Sequence, residues 1–108
     1  MEYIKTINKS ELPENGMRIV KIKGRDIVII NANGSFYAIN NTCTHLGGSL
    51  GKGKLNGTSI TCPKHGAIFD ITTGKNIDAA KMGFIKMKIK DEEIYPIKID
   101  GDDIFIGI

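Results

Sequence analysis

Apolar and polar residues alternate strictly near the C-terminal end of the chain. Across residues 85–90 every second residue is apolar, and each intervening residue is a lysine. A period of two is typical of a strand that has one face on a core and the other in water. Residues 97–99 and 103–106 repeat the pattern, and Asp100-Gly101-Asp102 between them predicts a turn.

The N-terminal part contains shorter strand candidates. They cover residues 3–7, 17–22, 27–30 and 36–39, and turn-forming residues at 23–25 and 31–34 separate the last three. Residues 10–13 and 77–81 could each form a single helical turn, and no segment has the length and pattern of a full helix. The pattern therefore predicts an all-β fold made of short strands.

Length and composition restrict this fold to a single domain. The chain has 108 residues, 6% aromatic residues and no Trp, so one core must be built largely from Ile, Val and Leu. The net charge of +3 is modest, and no basic run is interleaved with aromatic residues, so we expect no nucleic-acid partner. No apolar stretch could span a bilayer and the first residues do not resemble a signal peptide, so we expect no membrane partner and a cytoplasmic location.

The central third of the chain departs from the alternation and contains every cysteine and histidine. Cys43 and His45 form one pair, Cys62 and His65 form the second, and glycines follow each pair closely. Between the pairs, Asn56-Gly57 predicts a two-residue hairpin turn, since both residue types tolerate positive φ angles. Such a hairpin brings the two Cys/His loops side by side.

Two cysteines and two histidines can bind either a zinc ion or an iron–sulfur cluster. Zinc fingers usually keep the two cysteines together and the two histidines together, whereas each pair here is mixed. Cys-x-His followed by Cys-x-x-His at this separation resembles the Rieske iron–sulfur family. Phe69-Asp70, Thr73-Gly74-Lys75 and residues 95–99 also resemble segments of Rieske ferredoxins, so the likeness covers the whole chain.

The resemblance implies one Rieske-type [2Fe–2S] cluster. Cys43 and Cys62 would bind its inner iron, and His45 and His65 would bind its outer iron near the surface. It also implies a single Rieske domain, residues 1–108, with an antiparallel β-sandwich or barrel-like base. Residues 1–40 and 75–108 would form this base, and residues 41–74 would form a small cluster-binding insertion.

The function implied by the resemblance is that of an electron carrier without catalytic activity of its own. Rieske ferredoxins take single electrons from an NAD(P)H-dependent flavoprotein reductase and pass them to a terminal oxygenase or a similar acceptor. Two alternatives remain open. The chain could be a small subunit of a multi-protein, nitrite-reductase-like enzyme, or a zinc-stabilised binding module with no redox role.

Departures from the high-potential Rieske proteins predict a low reduction potential. Those proteins carry an additional, disulfide-forming cysteine in each loop, and a Ser and a Tyr after the second loop whose hydroxyls bond to cluster or ligand sulfur. Here Gly48 and Lys64 occupy the cysteine positions, and Ala67 and Phe69 occupy the hydroxyl positions. Because the reduced cluster loses two hydrogen-bond donors, we expect a midpoint potential near the low end of the Rieske range, below about +100 mV.

Overall fold

The computed structural model of the chain describes residues 1–44, 47–64, 66–78, 81–82, 85–86 and 89–108. Its strands are β1 (Tyr3–Asn8), β2 (Met17–Ile22), β3 (Arg25–Ala32), β4 (Ser35–Asn40), β5 (Lys54–Asn56), β6 (Ser59–Thr61), β7 (Ile68–Asp70), β8 (Asn76–Asp78), β9 (Lys81–Met82), β10 (Ile85–Lys86), β11 (Ile94–Tyr95), β12 (Ile97–Asp100) and β13 (Asp103–Gly107). Short 3-10 turns are formed by Lys9–Glu11 and Leu50–Lys52. The predicted all-β class is confirmed.

The described strands form three main antiparallel sheets and a two-stranded ribbon. The strand order is β1-β13-β12 in the first sheet, β11-β4-β3-β2 in the second and β5-β6-β7-β8 in the third, with β9 and β10 forming the ribbon. The third sheet comes from the middle of the chain, whereas the first two combine N-terminal and C-terminal segments. The exact division into a base of 1–40 and 75–108 and an insertion of 41–74 stays a prediction.

Tight turns fix the register of the second sheet. Asn33 and Gly34 connect β3 to β4 with φ angles of 54° and 90°, and Lys23 and Gly24 connect β2 to β3 with φ angles of 50° and 77°. Positive φ at both positions is the type I′ geometry, whose twist matches that of the paired strands. Pairing continues up to each turn, which explains why β3 and β4 extend beyond the predicted segments 27–30 and 36–39.

Strand β3 is buried on both faces and joins two hydrophobic cores. Ile27 and Ile29 belong to the core between the first and second sheets. Val28 and Ile30 belong to a second core, which also contains both cysteines. A continuous apolar run is typical of a strand covered on both sides. The two cysteines therefore share a core with one face of β3.

Two segments near the C-terminus differ from their predicted structure. The helical turn predicted over residues 77–81 is wrong where the structure describes it, because Ile77 and Asp78 lie in β8 and Lys81 lies in β9. Of the alternating segment 85–90, residues 85–86 form β10, residues 87–88 lie outside the described residues, and residues 89–90 are not in a strand. No helix in the described residues is long and apolar enough to cross a membrane.

Candidate functional site

A hairpin places the two cysteine loops beside each other, as predicted. Strand β5 pairs with β6 from Lys54 opposite Thr61 to Asn56 opposite Ser59. The turn is one residue later than predicted, at Gly57 and Thr58 instead of Asn56 and Gly57. Asn56 remains in the ladder, while Gly57 adopts the positive φ angle of 60° that starts the turn.

Backbone hydrogen bonds close the first loop at its cysteine. The N–H of Cys43 donates to the carbonyl of Gly48 at 2.6 Å, and the carbonyl of Cys43 accepts from the N–H of Gly47 at 3.2 Å. Gly47 has a φ angle of 74°, in the left-handed region that favours glycine. The loop thus turns back on itself within five residues of the cysteine.

The second loop repeats this pattern at the same spacing. The N–H of Cys62 donates to the carbonyl of Ala67 at 2.8 Å, and the carbonyl of Cys62 accepts from the N–H of Gly66 at 3.1 Å. Gly66 has a φ angle of 78°, matching Gly47 in the first loop. Two loops of different sequence therefore present their cysteines from the same backbone geometry.

The two loops meet at Cys62. Both cysteines are 2% exposed, and neither forms a disulfide. A Cβ atom placed on Gly48 would lie 2.6 Å from the Sγ of Cys62 and 3.1 Å from the Cβ of Lys64. The backbone of the first loop therefore passes directly against the sulfur of the second, at a position where a side chain would fill the space.

Glu92 contacts the first loop as a buried carboxyl group that the sequence did not indicate. It is 5% exposed, and its Oε2 accepts the N–H of Thr44 at 2.7 Å. Burial raises the pKa of Glu92 to about 7, and the hydrogen bonds from the N–H of Thr44 and the side chain of Asn40, which favour the carboxylate, offset only part of that rise. The hydroxyl of Thr44 also donates to the carbonyl of Lys90 at 2.7 Å. Residues 90–92 thus fix the loop immediately after Cys43.

The donor set fits a mixed sulfur and nitrogen centre. The structure places the two predicted thiol ligands in adjacent loops, while His45 and His65 lie outside the described residues. Within the described part of the chain, no three Cys, His, Asp or Glu side chains converge as a metal site. Two buried thiols, each followed two or three residues later in the sequence by a histidine, are the donor types that a Rieske centre uses. The assignment of all four ligands stays a prediction.

Curated relatives resemble the chain over almost its full length. The ferredoxin component of the naphthalene 1,2-dioxygenase system of Pseudomonas aeruginosa is 31% identical over 107 residues, which is 99% of this chain and 96% of the relative. The ferredoxin component of the naphthalene 1,2-dioxygenase/salicylate 5-hydroxylase systems of Ralstonia sp is 34% identical over 91 residues, which is 84% of this chain and 81% of the relative.

Solved structures show the same fold. The ferredoxin of Sphingomonas yanoikuyae B1 superimposes with a TM-score of 0.78 at 26% identity, covering 97% of both chains. The ferredoxin of carbazole 1,9a-dioxygenase from Nocardioides aromaticivorans IC177 gives a TM-score of 0.81 at 22% identity, over 98% of this chain and 97% of that one. The Rieske [2Fe-2S] domain family matches residues 2–104. The chain belongs to the Rieske [2Fe–2S] domain family.

Proposed function

We propose that this chain is a Rieske ferredoxin that carries single electrons from an NAD(P)H-dependent flavoprotein reductase to a terminal oxygenase or a similar acceptor. One observation carries the proposal: two matching cysteine loops meet in a chain that aligns with oxygenase ferredoxin components over 99% of its length. The proposal gives the chain no catalytic activity of its own. The cytoplasmic location expected from the sequence stays a prediction.

The cofactor of this family is a Rieske-type [2Fe–2S] cluster, which accepts and releases one electron. We propose that Cys43 and Cys62 bind the inner iron and that His45 and His65 bind the outer iron. Neutral imidazoles in place of two thiolates leave the centre less negative and therefore easier to reduce. The glycine backbone at Gly48 leaves room beside the sulfur of Cys62.

The surroundings of Cys62 support the expected low potential. Ala67 and Phe69 are fully buried, and neither side chain carries a hydrogen-bond donor. Both positions are therefore apolar where the high-potential Rieske proteins supply hydroxyl groups. The expectation of a midpoint below about +100 mV follows from this composition.

Native purification separates a free carrier from a tightly bound subunit. If the chain is a carrier, we expect iron-containing protein from its source cells to elute from a sizing column near its own mass of 11.8 kDa. NADH or NADPH should reduce it only after the flavoprotein fraction of the same extract is added back. Elution solely as part of a large complex, resistant to high salt, would instead favour the multi-protein enzyme subunit.

A further inference from the structure

Positive charge is concentrated in two segments of the chain, one of which contains both cysteine loops. Residues 41–69 contain three lysines and residues 79–90 contain four, and neither segment contains an acidic residue. All 12 acidic residues therefore lie elsewhere, where they outnumber the remaining basic residues. Charge is thus distributed much less evenly along the chain than the net value of +3 indicates.

Four exposed lysines that the structure describes surround the ligand loops. Lys52 and Lys54 line an open cleft of about 360 Å³ together with Cys62 and residues of its loop. Lys64 belongs to the second loop, and the carbonyl of Lys90 accepts the Thr44 hydroxyl of the first. We call Lys52, Lys54, Lys64 and Lys90 the lysine rim.

We propose that the lysine rim is the docking surface for an acidic face of the redox partner. This inference rests on the proposed function, because it places the partner against the loops from which the electron would leave. Complementary charge accelerates encounter and fixes orientation, and it acts most strongly at low ionic strength. Among the described residues, the ion pairs join Lys5 to Asp103, Lys21 to Asp26, Lys23 to Glu2 and Arg25 to Glu93, and none of these pairs involves Lys52, Lys54 or Lys90.

An acidic protein fits this surface better than nucleic acid does. Single strands bind through exposed aromatic side chains on which bases stack, in addition to positive charge. Phe69 is the only aromatic residue in the sequence of segment 41–69, and it is fully buried. Segment 41–69, which holds three of the four rim lysines, therefore supplies positive charge without an exposed aromatic side chain.

Charge reversal at the rim tests the proposal with ferricyanide, an anionic oxidant, as the probe. We expect the double variant Lys52→Glu/Lys54→Glu to transfer electrons to ferricyanide at least about fivefold more slowly than the wild type at low ionic strength. The difference should vanish near about 0.5 M salt, where screening is nearly complete. Poly-L-glutamate should slow the wild type but not this variant.

The matched control is Lys9→Glu/Lys98→Glu, which changes the net charge equally at positions outside both lysine-rich segments. We expect this variant to stay within about twofold of the wild-type rate. Equal slowing by both pairs would contradict a local docking surface, and so would salt-sensitive DNA binding that only the rim variant loses. A wild-type protein without a cluster would instead refute the proposed function.

A second observation concerns the buried carboxyl group of Glu92. Its Oε1 has no hydrogen-bond partner among the described residues, although the side chain is 95% buried. A buried polar atom without a partner reduces stability, and an apolar side chain of similar size avoids this cost. The carboxyl group of Glu92 interacts with the side chain of Asn40 and, through Oε2, accepts the N–H of Thr44, which lies between the proposed ligands Cys43 and His45.

We infer that Glu92 is a positioning residue, which fixes the first ligand loop through the peptide N–H of Thr44. This inference also rests on the proposed ligand set. Glu92→Gln keeps an oxygen that can accept the Thr44 N–H, whereas Glu92→Leu removes the acceptor and retains similar bulk. The two variants therefore separate the hydrogen bond from simple packing.

Iron release to a chelator and thermal melting of the same samples test this role. We expect Glu92→Leu to release iron at least about tenfold faster than the wild type, as outer-shell changes typically weaken metal binding by 10–100-fold, while its melting temperature is not lowered. Glu92→Gln should release iron within about twofold of the wild-type rate. The inference would be contradicted if Glu92→Leu released iron at the wild-type rate. It would also be contradicted if both variants released iron equally faster and both had lowered melting temperatures. Absence of iron from the wild type would refute the proposed function.

Discussion

Replacing His65 with cysteine is expected to lower the reduction potential by more than about 100 mV while a [2Fe–2S] cluster is retained. A neutral imidazole is exchanged for a thiolate, so the centre carries one more negative charge and accepts an electron less readily. Rieske centres lie at roughly −150 to +300 mV and plant-type ferredoxins near about −400 mV, and two such exchanges separate the two classes. Spectroelectrochemical titration of both proteins measures the shift.

The control for this change is Lys64→Cys, which introduces the same thiol one position earlier in the same loop. Lys64 is not a proposed ligand, so the variant should keep the wild-type ligand set. Its potential is expected to move by less than half of the His65→Cys shift. An unchanged potential in His65→Cys, or equal shifts in both variants, would count against His65 as a ligand.

Gly74→Ala is expected to destabilise the fold by about 3 kcal/mol or more. Gly74 has a φ angle of 79°, and a Cβ atom there would clash with the carbonyl oxygen of Glu92. Its N–H donates to the carbonyl of Asp70 at 2.7 Å, and its own carbonyl accepts from the N–H of Glu92 at 2.7 Å. The backbone cannot move away without breaking bonds on both sides, so the clash adds to the conformational cost.

Thermal melting should show this as a decrease of more than about 10 °C for a chain of this size. The matched control is Gly101→Ala, because Gly101 has a φ angle of 61° but nothing within 4 Å of an added Cβ atom. That variant should be destabilised only by the conformational term, about 1 kcal/mol. Similar melting temperatures for the two variants would show that the contact between Gly74 and Glu92 does not constrain the fold.

Local patterns in the sequence were sufficient to predict most of the strands. Strand β2 matches the predicted segment 17–22, because its turn residues Lys23 and Gly24 mark its end as clearly as its apolar residues mark its course. The hairpin between the cysteine loops was also predicted. Its turn was placed one residue early, since Asn56 and Gly57 both suit a turn and only the pairing of Asn56 with Ser59 decides between them.

Features that depend on distant contacts could not be predicted in this way. The segment Asn76–Asp78 forms a strand because its two end residues pair with β7, and no local propensity encodes this pairing. Glu92 lies within the acidic run Asp91-Glu92-Glu93, which is typical of a solvated segment. Its burial against Thr44 arises from packing between segments 48 residues apart. The cysteines of the candidate site were predictable because their chemistry is visible in the spacing itself.

The central claim is that cysteine sulfur holds one iron and histidine nitrogen holds the other. Pulsed EPR of the reduced protein, prepared with ¹⁵N-labelled histidine and compared with unlabelled protein, tests this ligation directly. We predict strong nitrogen couplings from two directly bound imidazoles that change with the label. A reduced cluster without such couplings, or a colourless protein that contains zinc instead of iron and sulfide, would contradict the account.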